Sequence, residues 1–136
     1  MKASCANLNQ GSVSSLSSVR QDVRGQLARW GRSDLADDAV LVVSELLENA
    51  FFHGMPPVRL TLTLLGSSGH RGRLKIGVTD AGPAFDVDLV RARWRHPSSA
   101  LSTGGRGLRL VDALCCAWGD RPCHTGHTVW AELDCA

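Results

Sequence analysis

No run of apolar residues in this chain approaches the ~18 needed to cross a bilayer, and its N-terminus carries no apolar core of a signal peptide. Both absences set the expectation of a soluble, cytoplasmic protein without a membrane partner. An excess of one charge is lacking too. A net charge of +2 is too small to mark a nucleic-acid surface. Of the fifteen basic residues only Lys2 and Lys75 are lysines, a skew that reads as codon usage rather than as a binding face. No direct nucleic-acid partner is expected. Internal repeats, low-complexity tracts and a second domain are also missing.

Cysteine is present without a pattern. Cys5, Cys115, Cys116, Cys123 and Cys135 are odd in number, and without a signal peptide this argues against a disulfide framework. The thiols are expected to be reduced. No C-x-x-C pair occurs, so the nearby Cys123, His124 and His127 carry little weight as a zinc site. Cys115 and Cys116 read as small apolar residues of a helix.

What remains is one domain of 136 residues, 43% hydrophobic, long enough for a real core. Residues 1–12 form a polar tail, or an edge strand through Cys5 to Leu8; residues 13–136 form the domain. Leu16, Val19, Val23, Leu27 and Trp30 recur at helical steps, with Ser12 or Ser15 as the cap and Gly31 as the stop. Ser33 or Asp34 is expected to cap a second helix, which Gly54, Pro56 and Pro57 end. Val58 to Leu64 alternates as a half-buried strand, and Leu74, Ile76 and Val78 alternate as its hairpin partner. Leu108, Val111, Leu114, Cys115 and Trp118 predict a third helix. Thr128 to Leu133 predicts a closing strand, with part of another in Gly119 to Pro122. Helices with an antiparallel or mixed sheet make a two-layer α/β sandwich.

The second helix carries the chemistry. Val42 to Gly54 reads V-V-S-E-L-L-E-N-A-F-F-H-G. Glu45, Asn49 and His53 lie at i, i+4 and i+8, near one helical face. They border the apolar stripe of Leu35, Ala39, Val42, Leu46 and Ala50, while Glu48 is expected to face solvent. Asp80 ends a strand and precedes Ala81-Gly82-Pro83-Ala84, which reads as a plain turn or as a recognition element. As the latter, a carboxylate accepts and cannot donate, so Asp80 suits the exocyclic amine of adenine, and Gly82 lets the backbone approach the base. Asn49 offers a hard amide oxygen suited to Mg²⁺ shared with phosphate. Glu45, one turn earlier, is placed to orient or deprotonate a hydroxyl. His53 either contacts phosphate or closes the helix end. Gly104, Gly105 and Gly107, with Arg106 and Leu108, open the third helix and form a phosphate cradle. No Gly-Lys-Ser/Thr follows, so this is no Walker P-loop.

Glu-x-x-x-Asn on a helix, then Asp-x-Gly, then Gly-x-Gly-Leu, in that order, resembles the N, G1 and G2 boxes of the gyrase, heat-shock chaperone, histidine kinase and mismatch-repair ATPases (GHKL). Within that superfamily the chain is most similar to the small anti-sigma-factor serine kinases of bacterial partner switching, over about Val13 to Leu133. The resemblance implies a Bergerat-type fold, ATP with Mg²⁺ through Asn49, and Glu45 as the catalytic residue. The nucleotide contacts it implies are Asn49, His53, Asp80, Gly82, Ala84, Gly104, Gly105, Arg106, Gly107 and Leu108. Ala84 departs from it, standing where many members have a second glycine. The implied activity is phosphorylation of a STAS-domain anti-anti-sigma protein together with sequestration of a sigma factor; a homodimer is left open. The alternative is a regulatory module in which ATP or ADP switches partners without phosphoryl transfer. Residues 86–103, basic and without a period, are either solvated surface or the lid that the family carries over its nucleotide. A histidine kinase fits poorly, because no phospho-acceptor hairpin fits in this length and His53 lies inside the nucleotide motif.

Overall fold

The computed structural model describes residues 2–8, 13–66, 72–89 and 106–135. Strand β1 (Lys2–Leu8) precedes helix α1 (Val13–Arg29) and helix α2 (Ala36–His53). The hairpin β2 (Val58–Leu65) and β3 (Arg73–Asp80) follows. Helix α3 (Arg106–Leu114) leads into a second hairpin, β4 (Ala117–Cys123) and β5 (Gly126–Leu133). The five strands form one sheet in the order β1-β2-β3-β5-β4, antiparallel throughout. The N-terminal residues thus form the edge strand, pairing Lys2 with Leu64 and Leu8 with Val58.

Alternation decides which side chains face the helices. Leu60, Val78 and Val129 form one inner row, and Leu62, Ile76 and Ala131 the next. Leu64, Leu74 and Leu133 form a third, and all nine are buried. The row at the other end breaks the apolar pattern: there Asp80 stands opposite His127. On β4, Trp118 and Asp120 pair with Ala131 and Val129 and so share that inner face.

Helix α2 is the centre of the helical layer, packed against the sheet and between α1 and α3. It therefore buries more than the predicted stripe. Val40, Val43 and Leu47 are buried along with Ala39, Val42, Leu46 and Ala50. Burying one Val or Leu side chain is worth ~1.5–3 kcal/mol, which makes this helix the main anchor of the core.

Helix α1 ends as predicted. Gly31 has φ +72°, its N–H bonds Ala28 O, and Arg32 N bonds Leu27 O, the pair of bonds that closes a helix through a left-handed residue. Three expectations need correction. Ser15 lies inside α1 and so cannot cap it, while Ser12 is outside the described residues. Ser33 to Leu35 forms a single 3-10 turn before α2, and neither Ser33 nor Asp34 caps it through a side chain. Asp34 is drawn instead to Arg32, whose buried guanidinium also holds Asp134 and Gly72 O. Helix α3 stops at Leu114, earlier than the apolar spacing suggests, and Trp118 belongs to β4. Cys116 N is already paired with Glu132 O of β5, and the Trp118 indole donates to Asp112 at 2.7 Å.

The cysteines also differ from expectation. Cys116 and Cys135 form a disulfide with Cα atoms 6.2 Å apart. The end of β5 lies beside the start of β4, so the chain after Asp134 is brought back to Cys116. Five cysteines allow up to two pairs, and no spacing rule pointed to this one. Cys115 follows α3 rather than lying in it, half-buried, and its thiol is pushed up to about 12 by burial, with Asp38 and Asp112 adding to the effect.

Candidate functional site

The site begins where β3 meets the end of α2. Asp80 is buried at 2% exposure, and its carboxylate is held from three sides. Gly82 N donates to Oδ1 at 2.7 Å and Met55 N donates to the same oxygen at 3.3 Å. His127 Nε2 meets Oδ2 at 2.9 Å. The turn that follows is tied down by Ala81 N donating to Met55 O at 2.7 Å. Gly54 matters here beyond stopping the helix. A Cβ at this position would lie 2.5 Å from Asp80 Cγ and 2.7 Å from Ala50 O. Only a residue without a side chain lets the carboxylate sit against the end of α2.

The network continues into the second hairpin. His127 Nδ1 meets Asp120 Oδ1 at 2.7 Å. The other oxygen of Asp120 accepts the Phe85 N–H at 2.6 Å. The Phe85 ring stands edge-on to the imidazole, with centroids 6.0 Å apart. Both ring nitrogens of His127 face carboxylate oxygens, so both contacts are hydrogen bonds when each nitrogen carries a proton. The Asp80, His127 and Asp120 side chains are 1%, 4% and 0% exposed.

Along α2 the remaining candidates run back from this corner. His53 is exposed in the last turn, Asn49 is half-buried, and Glu45 is half-buried one turn earlier. With a rise of 1.5 Å per residue, Asn49 is ~7.5 Å and Glu45 ~13.5 Å along the axis from Gly54. The candidate residues therefore run from the buried Asp80 corner back along α2 to Glu45. Desolvation pushes the Glu45 carboxyl above the ordinary range, and the neighbouring Glu48 charge adds to this. Glu48 is itself half-buried rather than facing free solvent, since α2 is packed on more than one face.

Leu108 is buried in the core, which anchors the start of α3. The backbone of Arg106 and Gly107 forms its first turn. Gly104 and Gly105, and residues 90–103 of the expected lid, lie outside the described residues. The described part of that segment starts with Asp86, whose Oδ1 accepts the N–H groups of Asp88 and Leu89 and caps a helical turn at 87–89. Ala84 is exposed.

Sequence reasoning missed His127 and Asp120. His127 was grouped with Cys123 and His124, both of which are exposed. The signal was available: the alternation of Leu133, Ala131 and Val129, carried one step further, turns His127 inward. Asp120 gave no comparable signal, because β4 has a short, irregular pattern.

The donor set fits a nucleotide: a buried carboxylate with an acceptor position at one end, a hard amide oxygen and a desolvated carboxyl at the other. The family model described as the histidine kinase-like ATPase domain matches residues 11–121. The chain belongs to this family of ATP-binding domains, within the GHKL superfamily. No curated protein matches the chain. Among the described residues, no helix is long and apolar enough to cross a membrane.

Proposed function

We propose that this protein is an ATP-dependent protein serine/threonine kinase that also acts as an anti-sigma factor, phosphorylating a STAS-type anti-anti-sigma protein and sequestering a sigma factor. The observation that carries the reading is Glu45. It stands one helical turn from Asn49, half-buried, with its carboxyl held above the ordinary range by desolvation. A carboxylate in that state is a stronger base than one in water.

In this reading Glu45 takes the proton of the acceptor hydroxyl as its oxygen bonds to the γ-phosphorus. The bond from the γ-phosphorus to the bridging oxygen breaks, and ADP leaves with that electron pair. Asn49 would hold Mg²⁺, which neutralises phosphate charge when bound. Asp80 would read the adenine amine, and Gly104 to Leu108 would cradle the phosphates.

Incubation with radiolabelled ATP and candidate STAS-domain proteins tests the proposal. The expected result is a labelled serine or threonine on one of them, lost with Glu45→Ala while ATP still binds. ATP binding by the unaltered protein with no acceptor labelled would instead favour the switching module.

A further inference from the structure

We propose that His127, fixed by Asp120, is the positioning residue that gives Asp80 its selectivity for a purine carrying an exocyclic amine at position 6; the inference rests on the nucleotide reading of the site. A carboxylate offers about four lone-pair positions. Met55 N and Gly82 N take those of Oδ1. His127 Nε2 takes one on Oδ2. A single acceptor position remains, on the oxygen that the imidazole holds. A donor on the ligand can satisfy it. An acceptor, such as the carbonyl at position 6 of guanine, would face a carboxylate that has nothing to donate.

The arrangement depends on the ring being held. Asp120 Oδ1 fixes Nδ1, which decides which nitrogen faces Asp80. The ring edge contact with Phe85, and the bond from Phe85 N to the other Asp120 oxygen, close the far side. Asp120 thus joins His127 to the backbone directly after the Asp80 turn, so the base-reading carboxylate and the following segment share one support. Without His127, Asp80 Oδ2 and Asp120 Oδ1 would each lose the side chain that joins them, and Asp80 would be free to turn away from its reading position.

The test compares ATP with purine riboside triphosphate, which lacks only the amine, by calorimetry on the full chain. The unaltered protein should favour ATP by about tenfold or more, the worth of one buried hydrogen bond to a charged group. His127→Ala should bring the two ligands within about threefold of each other by weakening ATP alone. His127→Gln, which keeps a donor for Asp80, should recover part of the preference, and Asp120→Asn should fall between them. Thermal melts identify any variant that has failed to fold. Should all three fail, the imidazole nitrogen signals of His127 in the unaltered protein are read by NMR; they should shift more with ATP than with the amine-free analogue. Folded variants that keep the full preference, or imidazole signals that respond equally to both ligands, overturn the role of His127 and leave the nucleotide reading standing. An unaltered protein that binds neither nucleotide overturns both.

Discussion

At the C-terminal end of α2 a carboxylate, an imidazole and a second carboxylate are buried in one bonded chain, whereas Asn49 and Glu45, one and two turns back, stand half-buried on the helix face. The first region fixes geometry: Asp80 is bonded to two backbone N–H groups and a ring, each held by another element. The second tunes charge: Glu45 is shifted by desolvation first and by Glu48 second. The contrast suits the two proposed tasks. Recognising a base needs an acceptor that does not move, since a fixed dipole costs no reorganisation. Accepting a proton needs a group whose protonation can change, and the desolvated Glu45 carboxyl is such a group.

The largest effect should come from breaking the fixed end at its tightest point. Gly54→Ala puts a methyl group into the space of Asp80 and of Ala50 O. Overpacking of this kind costs ~1–3 kcal/mol, and here the group displaced is the carboxylate proposed to read the base. Loss of measurable ATP binding together with a lowered Tm is expected. Unchanged binding would mean that Asp80 is not the reader. A smaller, cleaner effect is expected of Asp80→Asn. One acceptor oxygen would become a donor, so that either a backbone N–H of Met55 and Gly82 or the proposed ligand amine would lose its partner. Binding of ATP should weaken by about 30- to 100-fold, as expected for a hydrogen bond to a charged group. Calorimetry that finds equal affinities for ATP and GTP in the unaltered protein would remove the assignment.

Much of the fixed end was legible in the residues, and what was not has a physical cause. The hairpin of Val58 to Leu64 with Leu74 to Val78 follows from strict alternation, and alternation also delivers Asp80 to the inner face at the strand end. The face of α2 follows from helical spacing. That spacing could not say that Val43 and Leu47 would be buried as well and Glu48 half-buried, because a helix between two others buries more than one stripe. His127, which holds Asp80, and Asp120, which holds His127, come from β5 and β4, forty residues or more along the chain, and register between distant strands is not written in either strand alone. Local apolar spacing also carried α3 too far, since Trp118 was claimed by pairing of β4 with β5.

The tunable end is tested by Glu45→Gln. Its carboxyl is raised in the folded protein, so the charged form is disfavoured there and the group favours folding only while protonated. The contribution is present below the ordinary glutamate value of about 4.3 and is lost as pH rises through the higher folded value. At neutral pH the native side chain is therefore a cost, and Glu45→Gln should melt slightly higher than the unaltered protein. The gain should vanish in acid, while phosphoryl transfer falls at every pH. A variant that melts lower at neutral pH would mean that Glu45 makes a stabilising contact, contrary to a desolvated base.

The smallest effect concerns the thiols, which lie away from both regions and should leave nucleotide binding intact. Alkylation at neutral pH should rank them. Cys123 is exposed and its thiol is lowered by hydrogen bonding from Thr125, so it should react first. Cys115 should react last, because a thiol pushed up to about 12 by burial has almost no thiolate at that pH. Cys116 and Cys135 should label only after reduction. Closing a loop of nineteen residues is worth ~3 kcal/mol in the chain-entropy account, so reduction should also lower the Tm. Such bonds are rare in reducing compartments, which sets this one against the expectation of a cytoplasmic protein. Mass spectrometry of protein alkylated directly on cell lysis separates the two: label on both cysteines would show that the pair is reduced in the cell, and the bond would then contribute nothing to the working protein.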